Sequence, residues 1–114
     1  LEKVKSTGTV YTISCDQGTG NGLEATDCEF YGWTSYAKTL GDAKFVNCKF
    51  GEGSGYAYCR PYAPTVFVGC AFEAGFTVDP VAAVTFENCT FGGVPVTAAN
   101  VAELVTSTTN VTVK

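Results

Sequence analysis

The chain has no histidine and no methionine, and its one arginine is Arg60. Each shortage excludes something. Without His, the usual general base of a hydrolase and the commonest neutral metal ligand are both missing. Seven cationic side chains stand against eleven carboxylates, for a net charge of −4. That is the wrong sign for nucleic acid or an anionic membrane surface. No apolar run approaches the ~18 residues that insert across a bilayer, and no signal peptide is visible. The chain therefore reads as a mature form or a cut fragment. Leucine is scarce as well, so the composition does not favour helix.

What is abundant is Val, Thr, Phe and Tyr, punctuated by 13 Gly. That is the composition of short strands and turns, and it predicts an all-β fold. The length of 114 residues suits a single domain over 1–114,. Six Cys invite a disulfide framework,, but their spacing points elsewhere.

Four segments align on Cys-x-Phe. They are Leu23-Glu-Ala-Thr-Asp-Cys-Glu-Phe30, Ala43-Lys-Phe-Val-Asn-Cys-Lys-Phe50, Thr65-Val-Phe-Val-Gly-Cys-Ala-Phe72 and Val84-Thr-Phe-Glu-Asn-Cys-Thr-Phe91. A fifth, Thr106-Ser-Thr-Thr-Asn-Val-Thr-Val113, keeps the pattern with Val in place of Cys and Phe. Cys28, Cys48, Cys70 and Cys89 lie 20, 22 and 19 residues apart, and Val111 follows 22 later. This period is too short for two-helix repeats, and the leucine-rich signature is missing. One coil of a parallel β-helix fits. A strand alternates inward and outward residues, a single residue bends the chain, and Cys and Phe then point inward. The bend positions are Asp27, Asn47, Gly69, Asn88 and Asn110, all residue types that tolerate the left-handed conformation.

Stacked down successive coils, these bend residues resemble the Asn ladder of right-handed parallel β-helix proteins of the pectate-lyase-like superfold. The resemblance covers roughly residues 22–113 and extends to the β-helix segments of bacterial surface and adhesin proteins. It implies an all-β, right-handed, single-stranded parallel β-helix, a solenoid of about five coils. A third strand per coil is expected within residues 33–39, 55–60, 75–78 and 94–96, with a matching N-terminal strand within 8–15. A short helix capped by Thr97 is expected over residues 98–105.

In such a stack, equivalent residues lie ~4.8 Å apart. Cys28, Cys48, Cys70 and Cys89 then form an inward column. Phe30, Phe50, Phe72 and Phe91 form a second, and Phe45, Phe67 and Phe86 a third. The expected role is core: small buried thiols and stacked rings. In-register parallel thiols point badly for disulfides, and a straight column does not converge on a tetrahedral metal. Cys15 and Cys59 lie off the column and are the pair to consider for a disulfide, though about two coils separate them.

Function has to be sought on the outward faces. Glu24 is expected above Lys44 and Glu29 above Lys49. Val46, Val66, Val68 and Ala71 make an apolar strip, which marks either a contact surface or the place where a loop lies. Tyr31, Trp33, Tyr36, Tyr56, Tyr58 and Tyr62 cluster in the turns and third strands, either as a platform for sugar rings or as packing against the barrel. Enzymes of the resembled superfold use clustered Asp for Ca²⁺ with basic residues on the sugar. Here Asp16, Asp27, Asp42 and Asp79 are scattered, and the nearest carboxylate pair, Glu73 and Glu87, has nothing specific behind it. The expectation is a non-catalytic chain without a cofactor: an extracellular or cell-surface structural and binding module. Its partners would be flanking coils or glycans. An alternative is a subunit that stacks end to end on copies of itself through an uncapped C-terminal coil. A polysaccharide-binding or polysaccharide-degrading domain is the third reading. Asn88-Cys-Thr90 and Asn110-Val-Thr112 match the glycosylation pattern but fall at bends that recur for structural reasons.

Overall fold

The computed structural model describes residues 5–6, 11–13, 23–31, 33–34, 42–51, 58–59, 61 and 64–114. Its first strands are β1 (Lys5–Ser6), β2 (Tyr11–Ile13), β3 (Leu23–Thr26), β4 (Glu29–Tyr31) and β5 (Trp33–Thr34). There follow β6 (Ala43–Val46), β7 (Lys49–Gly51), β8 (Tyr58–Cys59), β9 (Thr65–Val68), β10 (Ala71–Phe72) and β11 (Thr77–Val78). The last are β12 (Val84–Glu87), β13 (Thr90–Phe91), β14 (Val94–Pro95) and β15 (Val111–Val113).

The protein is mostly β, with parallel sheets and almost no helix. Successive repeats feed the same sheets in order. The first sheet runs β3-β6-β9-β12-β15, the second β1-β4-β7-β10-β13-β14, and the third β2-β5-β8-β11. Among the described residues every strand pairing is parallel except that of β13 with β14. The register is the one the repeat predicts: Glu24 pairs with Lys44, Glu29 with Lys49, Phe45 with Phe67, and Phe72 with Phe91.

The bend between first and second sheets is left-handed at Asp27 (φ 56°), Asn47 (φ 53°), Gly69 (φ 61°) and Asn88 (φ 53°). The first three bend amides donate to the next repeat, as Asn47 N does to Val68 O at 2.8 Å and Gly69 N to Glu87 O at 2.8 Å. The ladder therefore continues through the corner, and none of these three amides is stranded in the interior. A Cβ on Gly69 would sit 2.5 Å from Asn47 Oδ1, so the Asn47 side chain lies against the next bend.

Inward residues form the expected columns. Phe45, Phe67 and Phe86 stack with ring centroids 5.2 and 5.3 Å apart and planes within 14°. Phe50 and Phe72 stack at 5.0 Å. Between the columns the contacts are edge-on, as for Phe50 and Phe67 at 86°. Both are geometries that aromatic quadrupoles favour, each worth about 0.5–1.5 kcal/mol beyond burial. Phe76 and Val78 fill the side facing the third sheet.

The C-terminal end departs from expectation. Gly92 (φ 60°) and Gly93 (φ 83°) turn the chain straight back, so that β14 pairs antiparallel with β13 instead of joining the third sheet. Two central residues with positive φ are the requirement of a tight hairpin. Val105 takes the place expected of residues 94–96, bridging in parallel to Val78. The expected helix is a single 3₁₀ turn at Val101–Glu103, preceded by Asn100 without a side-chain cap, while Thr97 Oγ1 accepts from Ala99 N in a local turn. A turn this short leaves Ala98 and Ala99 in a connecting loop. Val101, Leu104 and Val105 are buried against the end of the core. This end is therefore covered on the second and third sheets, while among the described residues β15 remains an edge strand of the first sheet, as the expected open coil requires.

The fifth repeat is also shifted. Val111 pairs with Val84 and Val113 with Phe86, so they occupy the positions before the bend, not those of Cys89 and Phe91. Asn110 accordingly has no left-handed bend. The hairpin and the 3₁₀ turn use up chain, and the polypeptide re-enters the first sheet only at Val111.

Candidate functional site

The outer face of the first sheet is set by strand alternation. In β6, Ala43 and Phe45 are buried while Lys44 is exposed and Val46 half-buried; in β9, Thr65 and Phe67 are buried while Val66 and Val68 are half-buried. Solvent-facing residues therefore read Lys44 and Val46, then Val66 and Val68, then Thr85 and Glu87, in register across three strands. The exposed Pro64 precedes β9, and Thr65 N donates to Ala83 O beside it. The central strand thus shows an unbroken apolar row outward, Pro64-Val66-Val68, with a cationic residue on one flank and an anionic one on the other.

A second feature lies on the outer face of the second sheet. A groove of about 330 Å³ is lined by Lys49, Ala71, Glu73, Ala74, Thr90 and Gly92, among others. It exists because the outward positions around Glu73 are small. Glu73 N donates to Phe50 O and Gly92 N to Phe72 O, so Gly51, Glu73 and Gly92 succeed one another up the stack. A Cβ on Gly51 would lie 2.6 Å from the Glu73 carboxyl carbon; the carboxylate rests on that glycine. Lys49 and Thr90 form the rims. This arrangement presents one carboxylate, one ammonium and one hydroxyl over a floor of backbone and methyl groups. The repeat alignment contains the signal for it, since the residue after each Phe of Cys-x-Phe is Tyr31, Gly51, Glu73 or Gly92.

The four column cysteines are free thiols, buried at 0–3% exposure. Three of them reach a carbonyl of the preceding repeat: Cys48 Sγ to Ala25 O at 3.5 Å, Cys70 Sγ to Phe45 O at 3.4 Å, Cys89 Sγ to Phe67 O at 3.3 Å. Cys70 is held protonated, first by hydrogen bonds to the Cys48 and Cys89 side chains and then by burial. The hydrogen bond from Cys70 is in turn the largest influence on Cys48 and Cys89 and draws both downward, against burial. All four pack within the apolar core, where Cys serves as a small buried side chain,. Cys59 is likewise a free, buried thiol pushed upward by desolvation, not half of a disulfide.

The aromatic band is located only in part. Tyr31, Trp33 and Tyr58 lie in β4, β5 and β8, while Tyr36, Tyr56, Tyr62, Cys15 and Arg60 fall outside the described residues. Glu73 and Glu87 do not share a face: the first follows β10 of the second sheet and the second ends β12 of the first. Among the described residues no group of three or more His, Cys, Asp or Glu converges on a point that could hold a metal, and no helix is long and apolar enough to cross a membrane. Comparison with protein-family models, with curated proteins and with solved structures returned no match to this chain.

Proposed function

We propose that the chain is a right-handed parallel β-helix acting as a stiff, non-catalytic structural and binding module of a secreted or surface protein. The observation that carries this reading is that the Cys-x-Phe repeats of residues 23–30, 43–50, 65–72 and 84–91 feed the same first and second sheets in parallel and in register. A stack of that kind resists bending because each repeat is hydrogen-bonded to the next on several sides. The resemblance of the bend ladder to pectate-lyase-like β-helices supports it. End-to-end stacking is the alternative: β15 is an edge strand of the first sheet among the described residues, whereas Pro95 on the antiparallel β14 lacks a donor and Leu104 fills the core beside it,. Brief protease treatment of intact source cells, read by mass spectrometry, tests the location. Release of peptides from this chain supports the reading; their protection until lysis sinks it. Incubation with polygalacturonate, with and without Ca²⁺, is expected to give no cleavage.

A second reading, glycan binding, is favoured by the groove beside Glu73. Its volume accommodates a single sugar ring, a carboxylate can accept two neighbouring hydroxyls, and a flat apolar floor suits the C–H face of a pyranose. A glycan array is expected to show binding that Glu73→Gln weakens. No binding by the wild type would remove this reading.

A further inference from the structure

The outer face of the first sheet carries an apolar row where a sheet facing water ordinarily carries polar residues. Pro64, Val66 and Val68 point outward from one central strand, with Val46 beside them on β6. Charged residues flank this row on both sides. Lys44 lies one strand to one side, with Glu24 next to it on β3, and Glu87 lies one strand to the other.

That distribution is self-complementary. A two-fold axis running along β9 lays the apolar row of one molecule on the same row of another. It also exchanges the flanks, so that β6 of each copy faces β12 of the other. Lys44 then stands opposite Thr85 of the partner subunit, within a lysine's reach of Glu87 of the partner subunit, and symmetry makes this contact twice. Lys114, which follows β15, enters the same cluster beside Glu87. We infer that this face is a self-association surface on which a second copy docks face to face through Val66 and Val68, with reciprocal Lys44–Glu87 pairs.

The available area sets the strength. Five strands at about 4.8 Å, each exposing about 13 Å of length, give roughly 300 Å² per copy. Stable interfaces bury about 800 Å² per partner. The dimer is therefore weak and becomes substantial where copies are held close together. The contact is lateral, side by side, and does not involve the ends of the stack.

Sedimentation equilibrium on the full chain, up to about millimolar concentration and at low salt, tests this. Concentration-dependent dimerisation is expected. Val66→Thr, which keeps a β-branched strand residue, should abolish it without altering the thermal melt. Lys44→Glu and Glu87→Lys should each weaken it by roughly tenfold or more, because each variant then pairs like charges twice. Mixing the two variants should restore dimers, since the carboxylate introduced at position 44 of one then meets the ammonium introduced at position 87 of the other. A structural role for either residue within one molecule cannot produce that rescue. Monomeric wild-type protein throughout the range would overturn the inference, whether another protein or the chain's own loops cover the row. So would two singly substituted variants that fail to associate when mixed while melting as the wild type does.

Discussion

Phe67 is fully buried and touches aromatic rings on both sides of its own column and in the neighbouring one. Truncation to Ala leaves a cavity bounded by rings that the sheet spacing holds in place, so little collapse can follow. Phe67→Ala is expected to cost about 3–5 kcal/mol in urea denaturation. Phe91, only half-buried at the end of its column, should cost clearly less when changed in the same way. Cys59 supplies a pH signature. Its thiol is raised above 9.0 by burial, so the stability it confers is complete below pH 9.0 and is lost as pH rises toward the folded value. Stability should fall by up to about 1.4 kcal/mol per pH unit above that point for each thiol held protonated. Urea midpoints from about pH 8 to about pH 10.5 measure the slope, which Cys59→Ala should flatten. At this scale the sequence was highly legible. Cys-x-Phe, preceded by Asp, Asn or Gly, identified the buried columns and four left-handed bends, because burial and positive φ each restrict residue type sharply. Glu73 was not singled out as a binding residue, since its setting depends on glycines some twenty residues away on either side.

At the scale of elements, legibility ended where the period did. Gly92-Gly93 between two short apolar runs is a hairpin signal, yet the repeat spacing argued for a third parallel strand at residues 94–96. The local turn chemistry prevailed. The shift at Val111–Val113 has a different cause. Alternating β-branched residues suit a strand before or after the bend equally, because the side-chain period of two is the same in both. What decided the register was the chain consumed by the hairpin and the 3₁₀ turn at Val101–Glu103. That turn depends on Leu104, which is 1% exposed and whose carbonyl accepts from Val78 N. Leu104→Ala is expected to cost about 2–5 kcal/mol. Amide exchange should accelerate first at Val78 and Thr106, which are bonded to this segment, and only later in β9, which lies repeats away.

At the scale of the whole molecule, the same three-sheet cross-section recurs along a body of 35 × 27 × 23 Å. Its outer faces are therefore long columns whose character the sequence sets one residue at a time. The first sheet turns apolar at a single strand and the second opens a groove beside a single carboxylate, and both changes fall in the repeat of residues 64–74.

The thiol column also has a practical consequence. Cys28, Cys48, Cys70 and Cys89 stand at equal intervals along the body, one per repeat, each sealed while its own repeat is closed. They form a graduated scale. Pulsed alkylation in mild denaturant, with the marked positions read by mass spectrometry, reports where the stack opens first. Modification that advances from one position to the next would mean that the repeats open one after another; simultaneous marking of all four would mean that the stack opens as one unit.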